Sequence, residues 1–263
     1  MLKWLQKNIP RIYARLRGAP RPIPDTLWRQ VLAHYPFLAA LAADEKRRLR
    51  NLTSRFLADK EFAGAHGFEV SDAMAVAIAA QACLPILYLD LKLYNDFNGI
   101  VVHSGPMLAR RQTTDAAGVV HHYSEVLSGE AMQGGPVTLS WEDVAASALA
   151  ERGHNVVIHE FVHKIDMHEG SPNGRPALPS RTAKLAWQQV MQTNYAEFRQ
   201  QVVMHERFGA EAPWLDSYGA QSPVEFFAVA AEAYFVNRQR FTEAFPDLTQ
   251  LFDSFFRPRK PLA

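Results

Sequence analysis

The chain has one cysteine, Cys83, in 263 residues. An intrachain disulfide framework is excluded, and cysteine usage gives no sign of an oxidising compartment. Cys83 lies in the apolar run "AMAVAIAAQACLPILYL", where a free thiol is most simply a small buried hydrophobe. A charge of one sign is lacking too: 28 Lys and Arg against 27 Asp and Glu leave a net charge of +1. Dedicated nucleic-acid binders carry a strong basic excess, so no direct nucleic-acid partner is expected. No transmembrane segment is expected either, because the longest apolar run, residues 73–89, is short for a span and holds Gln81 and Pro85. The chain has no internal repeat and no low-complexity tract. Its start is basic up to Asp25 but lacks a continuous apolar stretch and a small-residue cleavage site, so it does not read as a signal peptide. Leu2, Leu5 and Ile9 form an apolar stripe that Pro10 interrupts. Residues 1–24 therefore read as a solvated basic arm with a Pro-rich end, residues 25–263 as one domain, and the protein as cytoplasmic.

A hydrophobic content of 48% with 21% charged residues suits a folded domain with a substantial core. Residues 25–41 and 44–60 carry apolar side chains at helical spacing, and each stretch opens on an aspartate that can cap. "SDAM" at 71–74 is another helix start. "GIVVHSG" (99–105), "GVVHHYSEVLSG" (118–129) and "GPVTLSW" (135–141) are short, β-branched and bounded by glycine, as strands are. Residues 141–152 return to helix. From Asn155 the chain is mostly helical, apart from the Gly- and Pro-rich stretch 168–179. The pattern predicts an α+β fold, helix-rich with a small sheet in the middle.

One helical stretch poses a problem. "VVIHEFVHKID" (156–166) is patterned for burial, yet it holds two histidines, a glutamate, a lysine and an aspartate. Buried charge is costly unless it is paired. Asn155 is suited to cap this helix. His159 and His163, four apart, project from one face at the spacing that lets two imidazoles share a zinc ion. Glu160 points about 100° away, so it can reach past the metal and take a proton from an activated water. This is the H-E-x-x-H pattern of zinc metallopeptidases. The longer pattern of the metzincins needs glycine at 166 and histidine at 169, whereas the chain has Asp166 and Glu169.

A catalytic zinc needs a third protein ligand and an open position. Glu169 is too close in sequence to fold back easily. "SPVEFFAVAAEAYF" (222–235) offers two glutamates. Glu225 also fits a capping box behind Ser222 and Pro223, while Glu232 lies among alanines and aromatics, where an unpaired carboxylate is expensive. Physical chemistry leaves the choice between them even. Asp166 suits either a partner for a ligand imidazole or a salt bridge at the helix end. "GPVTLSW" is the candidate edge strand for binding an extended peptide.

"HEFVHKID" (159–166), "YGAQSPVEFFAVAAEAYF" (218–235) and "FPDLTQLFDSFF" (245–256) together resemble the Mlc titration factor A family of bacterial zinc peptidases. The core of that family is similar to the zincin domain of anthrax lethal factor. In the family a tyrosine precedes the zinc-binding glutamate by seven residues, as Tyr218 precedes Glu225. The resemblance thus implies a helix-rich zincin-like metallopeptidase domain with one zinc per chain, held by His159, His163 and Glu225. It implies Glu160 as general base and Tyr218 as hydrogen-bond donor to the oxyanion, and it leaves Glu232 as a supporting or core residue. It further implies aminopeptidase-like action on short peptides. The family's namesake sequesters a transcriptional repressor of sugar-uptake genes, so a repressor protein is a second expected partner beside peptide substrate.

Overall fold

A computed structural model of the chain describes residues 20–114, 120–147 and 153–258, with only the backbone described for 109–114 and 120–126. Most of the basic arm and the end of the helix expected over 141–152 lie outside the described residues. The helices are α1 (Asp25–His34), α2 (Pro36–Ala39), α3 (Ala43–Asp59), α4 (Asp72–Cys83), α5 (Trp141–Ala146), α6 (Val156–Asp166), α7 (Arg181–Phe208), α8 (Pro223–Val236), α9 (Arg238–Ala244) and α10 (Pro246–Phe256). The strands are β1 (Glu61–Gly64), β2 (Gly99–His103), β3 (Met107–Thr114), β4 (Val120–Leu127), β5 (Gly129–Ala131) and β6 (Val137–Ser140). This is the helix-rich α+β architecture expected. No helix among the described residues is long and apolar enough to cross a membrane.

The main sheet runs β1-β2-β6-β5; β1, β2 and β6 are parallel and β5 is antiparallel to β6. β3 and β4 form a separate antiparallel pair. The edge-strand expectation is therefore corrected. β6, which contains most of "GPVTLSW", pairs on both sides, and the edge beside it is β5. Short β1, in "EFAG", was hidden because its residues are largely exposed and show no alternation.

α6 packs against α4, α8, β5 and β6. Its start is fixed by a chain of polar contacts inside the core. Asn155 accepts from the Ile158 N–H at 2.9 Å, and its amide donates to the Gln81 side chain at 2.7 Å. Gln81, a buried polar residue within the Ala-rich α4, in turn donates to the Ala77 carbonyl at 3.1 Å. Each buried polar atom in this chain stabilises another, which is how the buried, Ala-rich part of the helix tolerates a glutamine. On the other side, Phe161 sits in an aromatic cluster with Phe56, Tyr94 and Phe97, at centroid distances of 5.6, 5.1 and 5.9 Å.

The lysine and aspartate of α6 find structural partners. Lys164 is fully buried, and its ammonium donates to the carbonyls of Met132 (2.7 Å) and Gly135 (3.0 Å) and to Asp96 (3.1 Å). It thereby pins the turn between β5 and β6 to the helix. Among the described residues, Asp166 forms no hydrogen bond to an imidazole and no salt bridge at the helix end. It accepts the backbone N–H groups of Asn173, Gly174 and Arg175, the bond to Gly174 being 2.7 Å long.

Gly174 ties this loop to α8. Its carbonyl accepts the Trp187 indole N–H at 2.9 Å, and a Cβ on it would lie 2.6 Å from the Pro223 carbonyl oxygen. Its φ of +74° is left-handed. Gly174→Ala is expected to cost at least about 2 kcal/mol, because an L side chain is strained there and the obstacle is backbone. Urea unfolding midpoints measure it. The aromatic tail closes the same region, with Phe252 stacked on Trp187 at 5.7 Å and Phe227 of α8 edge-on to both.

Candidate metal centre

α6 presents His159 and His163 side by side, their ring centroids 4.7 Å apart. α8 approaches from across the core. Ser222 caps α8 by accepting the Glu225 N–H at 3.2 Å, and Pro223 takes the first helical position. Only half of a capping box forms. The Glu225 carboxylate turns instead to the histidines, 3.1 Å from Nε2 of His159 and 3.3 Å from Nε2 of His163. The two Nε2 atoms are 3.0 Å apart.

These three donors fit one zinc ion. With bonds of about 2.0–2.1 Å in tetrahedral geometry, zinc sets its donor atoms roughly 3.3 Å apart. Two imidazoles and a carboxylate are a common set for catalytic zinc, which keeps a further position open. The surroundings also favour positive charge. Burial alone would lower the pKa of His159, but Glu232 and Glu225 outweigh it and raise it well above the ordinary histidine value. Burial opposes ionisation of Glu225 as well, yet the two imidazoles hold its carboxyl down at about 2. Carboxylates that favour a proton at this point favour a dication there too.

Glu232, buried at 1% exposure, supports the histidine rather than joining the donor triangle. Its Oε1 lies 2.6 Å from Nδ1 of His159, and its Oε2 accepts the Asn155 N–H and lies 3.1 Å from Nδ1 of His154. A carboxylate on Nδ1 fixes the tautomer that leaves the Nε2 lone pair free for a metal. Among the described residues, Nδ1 of His163 has no such partner. Glu169, the rejected alternative, is exposed and lies 3.9 Å from Lys184.

Glu160 is buried on the face of α6 next to β5 and is absent from the donor triangle. A Cβ at Gly129 would lie 2.6 Å from Glu160 Oε1, so only glycine lets the edge strand come this close. Burial raises the pKa of Glu160 against the pull of the two imidazoles. Tyr218 sits in a 3-10 turn, Ser217–Ala220, with its ring centroid 5.9 Å from that of His159. Asp216 fixes the turn by accepting the Tyr218 N–H at 2.9 Å. Ser128, Gly129, His159, Glu160, Asp216 and Tyr218 are among the residues lining a cleft of about 310 Å³.

His159, Glu160 and Tyr218 thus line this cleft, and His159 joins it to the donor triangle with His163 and Glu225. His154, Gly129 and Asp216 were not singled out from sequence. His154 stands outside the helix with no ligand spacing, and the other two matter only through what packs against them.

The whole-chain comparison decides the family. The model of the family described as "Glucose-regulated metallo-peptidase M90" matches residues 4–257. The chain belongs to this metallopeptidase family. Among curated proteins, this M90 chain is similar to Mlc titration factor A of Cronobacter sakazakii, with 32% identity covering 97% of this chain and 91% of the relative. It is 33% identical to the protein of that name from an Enterobacter species, over 89% of this chain and 87% of the relative. For Salmonella arizonae the identity is 34%, over 89% and 91%. Membership of the M90 family accords with the metal-binding character of the donor triangle.

Proposed function

We propose that this M90 protein is a zinc-dependent peptidase acting on short peptides from the amino-terminal end. One zinc per chain is held by His159, His163 and Glu225. The observation that carries the reading is the triangle of two imidazole nitrogens and one carboxylate oxygen, with a buried carboxylate beside it that is not part of the triangle. A zinc ion held there supplies Lewis acidity, which lets water lose a proton near neutral pH.

Glu160 takes that proton and later delivers it to the leaving amine. Its upward-shifted pKa suits a group that must both accept and release a proton. Tyr218 donates a hydrogen bond to the charge developing on the carbonyl oxygen. Glu232 keeps His159 in the tautomer the site requires. The substrate runs along β5, the strand at this end of the sheet and beside Glu160, as in strand addition. The amino-terminal preference follows the family resemblance. In the purified protein, elemental analysis is expected to find one zinc per chain, and a chelator is expected to abolish hydrolysis of a chromogenic peptide until zinc is returned. Full hydrolysis by demonstrably zinc-free protein would overturn the proposal.

The relatives' name favours a second reading, a regulatory protein that binds a transcriptional repressor. Glu160 discriminates between the two, since a pure binder has no use for a buried carboxylate at the edge of the metal site.

A further inference from the structure

Glu232 puts Oε1 on Nδ1 of His159, so the aim of that oxygen depends on what holds Oε2. Two groups meet Oε2, and they are neighbours in sequence. The Asn155 N–H donates to it, and Nδ1 of His154 lies 3.1 Å from it. The first is a backbone group placed by the start of α6. The second is a side chain placed by Gly153. That glycine has a left-handed φ of +76°, and a Cβ on it would lie 2.9 Å from the Ala233 Cα. The chain therefore passes against the backbone of α8 one residue from Glu232, which sets the His154 ring against the carboxylate. The two side chains differ sharply in exposure. Glu232, at 1%, has almost no access to water that could stand in for a lost partner, and a buried carboxylate needs partners on both oxygens. His154, at 49%, adds little to the core, so its contact with Glu232 is what its placement serves. It also borders the metal cleft, beside His159, Glu160 and Tyr218.

We propose that His154 is a positioning residue for the metal, holding Glu232 so that Oε1 stays aimed at Nδ1 of His159. The inference rests on the zinc site of the peptidase reading and extends its support by one residue. The relay His154–Glu232–His159 ends on the donor triangle, and His154 itself is no part of that triangle. Without His154, Oε2 keeps one backbone N–H among the described residues, which holds the carboxylate at a single point and leaves it free to turn away from the imidazole. The His159 ring, and with it the Nε2 lone pair, is then held less firmly in the orientation a metal needs.

The test uses the full chain, stripped of metal and titrated with zinc in competition with a chromogenic chelator. His154→Ala is expected to weaken zinc binding by about 3–10-fold, less than the loss of a group that touches the ligand directly. His154→Asn, whose amide N–H can stand where Nδ1–H stands, is expected to restore most of the affinity. In a Glu232→Gln background, His154→Ala is expected to change zinc affinity by less than about twofold, because the residue through which it acts is already altered. Urea unfolding of the metal-free variants separates a loss of fold from a loss of metal. A merely structural histidine would lower stability and leave zinc affinity alone, or would weaken zinc equally in both backgrounds. Either result, or zinc bound as tightly by His154→Ala as by the wild type, overturns the positioning role alone. Wild-type protein that takes up no zinc removes the metal site, and the positioning role with it. Neither readout depends on hydrolysis.

Discussion

Glu160→Gln is expected to lower peptide hydrolysis by about 10²–10⁴-fold while the protein keeps its zinc. The variant preserves shape: glutamine fits the space against Gly129, where a Cβ would come within 2.6 Å of Glu160 Oε1. The donor triangle is untouched, because Glu160 is no part of it. Only the capacity to accept a proton is lost. Stability should hold or rise, since the change removes a buried carboxylate whose pKa burial already pushes up. Hydrolysis rates, zinc content and melting temperature on one preparation check all three. A near wild-type rate with zinc still bound would exclude the general-base role. Loss of zinc would instead make Glu160 a ligand.

The second large effect separates the two glutamates of α8. Glu225→Ala is expected to leave the purified, dialysed protein without zinc and without activity. The site then keeps two imidazoles from one helix turn and loses the donor that α8 contributes. Its fold should survive, because the side chain is partly exposed at 21% and the Ser222 cap bonds the backbone N–H, which any residue supplies. Glu232→Gln is expected to behave in the opposite way. Zinc stays, with an affinity about 10–100-fold weaker, because Nδ1 of His159 loses its ionised partner. Stability falls by about 1–3 kcal/mol, because a neutral amide holds His159, His154 and the Asn155 N–H less firmly in a site that is almost fully buried. Zinc titration and urea unfolding of the pair provide the measurement. If Glu232→Gln lost the metal while Glu225→Ala retained it, the ligand assignment would be reversed.

That contrast also marks how far the sequence could be followed. Glu225 had a good local explanation as a capping residue, and Glu232 had the stronger claim to a partner because of its apolar neighbours. Both inferences were locally sound. Ser222 does cap the helix and Glu232 is paired, but the carboxylate at the capping position is the one that meets Nε2 of both His159 and His163. Only the resemblance to a known family separated the two from sequence. The expectation that "GPVTLSW" forms an edge failed for a related reason: a short β-branched run looks the same with one neighbour or two, and β5 is too brief at Gly129–Ala131 to announce itself.

The local chemistry of α6 needed nothing beyond the sequence. A 3.6-residue period puts His159 and His163 on one face and Glu160 on another, and Asn155 and Ser222 start their helices through bonds made within three residues. The tertiary structure decided which carboxylate completes the triangle across 66 residues, and which one grips His159 across 73. It also decided that β5 lies against Glu160. Bonds within a helix turn follow from backbone geometry that every sequence shares. Contacts between distant segments depend on how whole faces pack, and no short stretch of residues encodes that.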